Sequence, residues 1–138
     1  MAEKYKKFTQ LEHVLARPDT YVGSLDKDVD KHWVLNQNDS NNMIRTSIEH
    51  VPGLYKIFDE ILVNALDQCQ VDLTVDTIKV SVDQENNSIE IFNSGQGIPV
   101  VIHDEYQVYV PQLIFGELLT SENYDDSKKR TTGGRNGY

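Results

Sequence analysis

The sequence predicts an α/β fold, on three observations. Apolar residues recur at helical spacing from Leu54 to Cys69, two short runs between Ile78 and Ile91 alternate with period two, and a second apolar helical stretch opens at Pro111. At 138 residues, the chain has the size of one ordinary domain or part of one. No repeat at a fixed period and no low-complexity stretch interrupts it, so a solenoid has no support.

The elements follow in chain order. Thr9 with Glu12 fits a capping box opening a short helix through Leu11, Val14 and Leu15, which Arg17-Pro18 ends. From Asp26 to His32 the chain is charged, and Asp26, Asp28 and Asp30 imitate the first ligands of an EF-hand loop. Lys31 stands where that loop needs Gly and Gln37 where it needs Glu, so the stretch is read as a solvated turn. Val51-Pro52-Gly53 breaks the chain before the strongest helix. There Leu54, Ile57, Phe58, Ile61, Leu62, Ala65 and Cys69 share one face, which is expected to pack. At ~100° per residue, Glu60, Asn64 and Asp67 fall within about one sixth of a turn on the opposite, presenting face.

Ile78, Val80 and Val82 alternate with Lys79 and Ser81, and Ile89 and Ile91 with Ser88 and Glu90, across the polar stretch Asp83 to Asn87. That pattern is a β-hairpin. Pro111 begins a helical stretch carrying Leu113, Ile114, Leu118 and Leu119. A polar tail from Thr120 to Thr132 then leads, as a mobile loop, into the turn Gly133-Gly134-Arg135-Asn136-Gly137.

Composition narrows the function classes. A formal net charge of −9 repels a phosphate backbone, so bulk charge does not grip duplex DNA, although a nucleotide held through Mg²⁺ and backbone amides suits an acidic domain. No apolar run approaches the ~20 residues of a membrane span. Met1 to Gln10 carry no apolar leader segment, and a single Cys69 makes no internal disulfide, so an intracellular, non-secreted chain is expected. The glycosylation-like triplets at Asn38 and Asn86 are accordingly read as chance.

Three elements could carry chemistry. A carboxylate and an amide one turn apart, as in Glu60 and Asn64, are in isolation most often the wet side of a helix. The turn Asn93-Ser94-Gly95-Gln96-Gly97 says more, because two glycines directly after a strand permit a close backbone approach to a ligand, although a tight connection is the plainer reading. Asn93 offers a donor and an acceptor to the edge of a purine. The glycine-rich end could use successive N–H groups as a nest for phosphate oxygens. Neither a Walker A loop nor a G-x-G-x-x-G after a strand is present, so any nucleotide site is of a third kind.

Four runs carry a resemblance: VPGLYKIFDEILVNALD from Val51 to Asp67, NSGQGIPVV from Asn93 to Val101, YVPQLIFGELLTSENYDD from Tyr109 to Asp126, and TGGRNGY from Thr132 to Tyr138. With the opening Lys6 to Ser24, they closely resemble the eukaryotic type II DNA topoisomerase family. That family lies within the split ATPases shared by gyrase, a heat-shock chaperone, MutL proteins and histidine kinases. Agreement of several segments in order is stronger than any one motif. The resemblance implies a two-layer α/β sandwich of the Bergerat type, incomplete at its C-terminus. Residues 1–138 would be the N-terminal part of the ATPase domain, with 1–24 its arm and first short helix.

The resemblance also assigns roles and cofactors, namely ATP and Mg²⁺. Glu60 would be the general base for the attacking water and Asn64 a ligand of Mg²⁺, while Asn93 would contact the adenine end. Ser121, Glu122 and Asn123 would lie at ribose and phosphates, and the amides of Gly134, Arg135, Asn136, Gly137 and Tyr138 would wrap the phosphate chain. Gln68 stands where the family usually carries Asn, and Glu122 where a second Ser is common. Family members continue past Tyr138 with a further Gly and a Lys, a transducer and the cleavage machinery, so residues 1–138 alone are expected to bind ATP poorly. Homodimerisation through the ATPase region, DNA engaged by the full-length protein, no membrane contact and a nuclear location complete what the resemblance implies. The competing readings are another split ATPase, against which LYKIFDEILVNA and TGGRNGY argue, and a truncated non-catalytic binding module with the same fold.

Tyr5 resembles a residue that family members lend across the dimer to the partner's nucleotide. Deleting residues 1–8 from a complete ATPase region is therefore expected to weaken ATP-dependent dimerisation. Sedimentation with a non-hydrolysable ATP analogue reads this, and an unchanged dimer fraction counts against it.

Overall fold

The computed structural model describes residues 6–117, 120, 127 and 132–134. The chain divides into two units, Met1–Ile57 and Phe58–Tyr138.

In the first unit, Thr9 opens α1 (Gln10–Ala16) with the expected capping box. The Thr9 hydroxyl accepts from the Glu12 amide at 3.3 Å, and the Glu12 carboxylate accepts from the Thr9 amide at 2.8 Å. These bonds satisfy amide donors that a helix start leaves orphaned. The Thr9 amide, followed by the Thr9 hydroxyl, holds the Glu12 carboxyl below its ordinary value. A second helix, α2 (Asp19–Val22), follows at once. His13 Nδ1 hydrogen-bonds with the Tyr21 hydroxyl at 2.8 Å and so ties α1 to α2.

The expected solvated turn over Asp26 to His32 is corrected here. Asp28 begins a nine-residue strand, β1 (Asp28–Asn36), paired antiparallel with β2 (Asp39–His50). Val29, Trp33 and Leu35 alternate with Asp28, Asp30 and His32, a period-two pattern that suits a strand despite the acidic residues embedded in it. Neither β1 nor β2 was anticipated from the sequence. Both are almost wholly solvent-exposed, and a strand without a buried face leaves only a weak pattern.

The central helix, α3, is longer than the periodicity indicates, running from Pro52 to Val71. Of Val51-Pro52-Gly53, only Val51 precedes the helix. Pro52 starts it, since its fixed φ and missing N–H are both tolerated in a first turn. Gly53 lets the chain before it come close. Its amide donates to the Ser24 carbonyl at 2.8 Å, and a Cβ there would lie 3.0 Å from both Leu25 and Val22.

The second unit begins at Phe58, within α3. The apolar face of the helix is only partly packed. Ala65, at 5% exposure, is the buried apolar side chain among the described residues, and Phe58, Leu62 and Cys69 are half-buried, whereas Ile61 is exposed. In the first unit, Leu54 and Ile57 are also exposed, against the expectation of a continuous packed face. The hairpin forms as predicted, with β3 (Ile78–Asp83) antiparallel to β4 (Ser88–Asn93). Its register sets Val80 against Ile91 and Val82 against Ile89 on one side, and Lys79 against Phe92 and Ser81 against Glu90 on the other. Asp83 organises the connection by accepting from the amides of Glu85 and Asn86 at 3.0 Å each. Asn87 takes the left-handed conformation at φ 51°.

The last helix, α4 (Val110–Gly116), has Pro111 in its first turn as expected but ends at Gly116, with Glu117 already extended. Leu118 and Leu119, assigned to this helix from the sequence, lie outside the described residues. Among the described residues, no helix is long and apolar enough to cross a membrane.

Replacing Thr9 by Ala removes an N-cap, a change that typically costs ~1 kcal/mol of helix stability. Amide exchange at Glu12 and His13 is expected to speed up severalfold, with β1 and β2 unaffected. Because the Glu12 pKa is lowered on folding, its contribution to the cap is present above the ordinary carboxylate value and is lost as pH falls through the lowered one. Equal exchange in wild type and variant would dismiss the capping box as a stabilising element.

Candidate functional site

Three polar residues of α3 sit in the second unit. Glu60 and Asp67 are half-buried and Asn64 is exposed, so the polar side is more enclosed than its sequence pattern indicates. The Asp67 carboxylate binds the start of the glycine-rich segment with both oxygens. Oδ1 accepts from the Gly133 amide at 2.7 Å, and Oδ2 accepts from the Gly134 amide at 2.6 Å. Charge-assisted bonds of this length are the strong kind, and two on one carboxylate fix direction as well as distance. They bring Gly134 beside Asn64, whose Oδ1 lies 3.6 Å from where a Cβ on residue 134 would stand. Residues 64, 67, 133 and 134 thus converge, although the sequence reading gave Asp67 no role of its own.

The second cluster is the turn after β4. Asn93 is half-buried, and its Nδ2 donates to the Ser94 carbonyl at 3.0 Å. One of the two Nδ2 hydrogens is therefore engaged locally, and Oδ1 provides the acceptor edge. Ser94 is held on several sides: its Oγ accepts from the amides of Asp76 at 3.0 Å and Thr77 at 3.1 Å and donates to Asp76 Oδ1 at 2.9 Å. Its own amide donates to the Thr77 carbonyl at 3.0 Å. The Thr77 hydroxyl first, and then that of Ser94, lowers the Asp76 pKa.

The two glycines of this turn differ. Gly95, at φ +105°, has no room for a side chain, since a Cβ would lie 2.6 Å from Val75 and 2.7 Å from Asp72 Oδ2. Gly97, at φ +69°, has nothing within 4 Å of its Cβ position. The sequence pattern permits a ligand approach at both glycines, with a tight connection as the plainer reading; Gly95 accommodates Asp72 and Val75, and Gly97 borders open space.

Gly134 is the one residue of the assigned phosphate loop within the described residues. Arg135, Asn136, Gly137 and Tyr138 lie outside them, as do Ser121, Glu122 and Asn123, and Tyr5 of the arm. Among the described residues, no group of three or more His, Cys, Asp or Glu could hold a metal ion. A groove of about 320 Å³ runs along the polar side of the β3–β4 hairpin, lined by Lys79, Ser81, Glu90 and Phe92. It contains none of the candidate residues.

With this geometry in hand, comparison with known proteins is specific. Residues 49–138 match the family described as histidine kinase-, DNA gyrase B- and HSP90-like ATPase. DNA topoisomerase 2 of Pisum sativum is 57% identical over 99% of this chain, and DNA topoisomerase 2-alpha of Gallus gallus is 57% identical over 97%. The chain spans only 9% and 8% of those relatives' lengths. Among solved structures, the ATPase region of Saccharomyces cerevisiae topoisomerase II matches with a TM-score of 0.88 at 49% identity, covering 99% of this chain and 36% of that one. The ATPase and transducer domains of the Balamuthia mandrillaris enzyme match with a TM-score of 0.88 at 51% identity, covering 99% and 34%.

Asp67→Ala is expected to release the Gly133 and Gly134 amides. Loss of a hydrogen bond to a charged group should raise their exchange rates roughly tenfold or more. Asp67→Asn, with one acceptor oxygen, should protect one amide and expose the other. Unchanged exchange at both in Asp67→Ala would show that the carboxylate does not hold this segment.

Proposed function

The chain belongs to the histidine kinase-, DNA gyrase B- and HSP90-like ATPase family, and on that footing we propose that residues 1–138 form the N-terminal part of the ATPase domain of a type II DNA topoisomerase. ATP binding and hydrolysis there drive closure of a homodimer, and the full-length protein passes one DNA duplex through a break in another, in the nucleus. The observation that supports this reading best is the Asp67 carboxylate holding Gly133 and Gly134 beside Asn64. It draws the glycine-rich segment onto the helix face that carries Glu60.

Glu60 and Asn64 stand one helical turn apart, about 6 Å along the axis. In the proposed mechanism, Glu60 accepts the proton of the water that attacks the γ-phosphate and orients that water in line. Asn64 presents an amide oxygen, a hard ligand of the kind that Mg²⁺ takes. Magnesium commonly takes one or two protein oxygens and completes its shell with water and phosphates, so a single amide oxygen from Asn64 suits it. When bound, Mg²⁺ neutralises charge on the phosphates.

Asn93 accepts from the exocyclic amine of adenine through Oδ1, while one N–H of its Nδ2 donates to the Ser94 carbonyl and sets the plane of the amide. The amides from Gly134 to Tyr138 surround the phosphate chain, and Ser121, Glu122 and Asn123 lie at ribose and phosphates. The last two assignments rest on the resemblance in sequence. Phosphoryl transfer asks a protein mainly for such positioning and charge stabilisation.

In a protein extended through the transducer, Glu60→Gln should bind ATP and dimerise yet hydrolyse it ~10²–10⁴-fold more slowly, because it keeps size and hydrogen bonding but loses the basic oxygen. Asn64→Ala should instead weaken Mg·ATP binding itself. Turnover near wild type in Glu60→Gln, or loss of nucleotide binding as complete as in Asn64→Ala, would make Glu60 a structural residue of the helix.

A further inference from the structure

We propose that Asp72 is a positioning residue for recognition of the nucleotide base, acting by fixing the turn Asn93–Gly97 to the end of α3. The proposal rests on the reading of Asn93 as the adenine contact. Asp72 is the first residue past α3, and its amide still donates to the Gln68 carbonyl at 2.8 Å, so its place is set by the helix. One carboxylate oxygen, Oδ1, accepts from the Thr74 amide at 2.9 Å and the Thr74 hydroxyl at 2.6 Å. The other, Oδ2, reaches across to accept from the Gln96 amide at 3.0 Å.

The remaining ties on the turn come from the same short segment, through Asp76 and Thr77 to Ser94. The segment from Asp72 to Thr77 therefore holds the turn at both Ser94 and Gln96. Gly95 between them admits no side chain because Asp72 and Val75 occupy that space. Asn93 itself is held in the β3–β4 ladder opposite Ile78, and the clamp on Ser94 and Gln96 sets how the chain leaves it and what surrounds its side chain.

The location of Asp72 determines which step it influences. Twelve residues of helix separate it from Glu60, about 18 Å along the axis. Removing its carboxylate should loosen the base end of the site while leaving the phosphate end in place. Affinity and base selectivity should change, and the chemical step should not.

The test uses the complete ATPase region carrying this chain, with ATP and GTP as substrates. Asp72→Ala is expected to raise KM for ATP about tenfold, to keep kcat within about twofold, and to erode the preference for ATP over GTP. Asp72→Asn, which retains one acceptor oxygen, should fall between wild type and Asp72→Ala. Amide exchange at Gln96 should rise in both variants. Unchanged KM and selectivity together with faster Gln96 exchange would overturn the assignment. So would kcat and KM worsening in proportion to a lowered melting temperature, which is the mark of a merely structural role. A wild-type protein that binds ATP and GTP equally would overturn the adenine reading of Asn93 itself, and with it this proposal.

Discussion

The site depends on the rigidity of α3. A helix spaces side chains at ~1.5 Å and ~100° per residue, so backbone geometry alone sets Glu60, Asn64 and Asp67 along one face. In the proposed mechanism, proton acceptor, metal oxygen and loop anchor are three different tasks, and one helix presents all three in a fixed order. Asp67 carries that order to a segment far away in sequence by bonding Gly133 and Gly134. A loop in place of the helix would have to pay the ordering entropy of each residue separately.

Both ends of α3 are fixed by short-range chemistry. Pro52 starts it, Gly53 lies close against Val22, Ser24 and Leu25, and Asp72 receives the chain where the helix stops. Helix and turn are thereby joined through hydrogen bonds rather than through a deep apolar core. The described residues bury little: Val80, Val82 and Ile89 of the second hairpin, and Val29, Trp33 and Leu35 of the first, remain open to solvent. Polar anchors such as Asp72, Asp76 and Asp83 consequently carry much of the local order. Their hydroxyl and amide partners lower all three carboxyl pKa values, so this order weakens as pH falls through the lowered values.

How far the sequence could be read follows from the physics of each element. α1 was legible because Thr9 and Glu12 form a local motif at fixed spacing, and β3 and β4 because an apolar alternation is interrupted by a polar turn. α3 was legible in its body and wrong at its start, since Pro and Gly suit a first turn as well as a break. β1 and β2 escaped because their alternation mixes acids with apolar residues and neither face is buried. At the candidate site, the helix face of Glu60 and Asn64 and the turn at Asn93 stand out from the residues themselves, and the family resemblance supplies the roles proposed for them. Asp67 is legible only as part of the polar helix face and Asp72 only beside Thr74, because the partners that give them their anchoring roles lie 66 and 24 residues away.

The unlike surroundings of Gly95 and Gly97 bear on how a G-x-G pattern is interpreted in any sequence. One glycine is required by crowding inside the protein. The other combines a left-handed backbone with vacant space, a combination that asparagine also satisfies. Two identical letters in a motif therefore carry unequal information. Replacement at the second position meets only the strain of its own left-handed backbone, whereas replacement at the first also requires the segment behind the turn to be rebuilt.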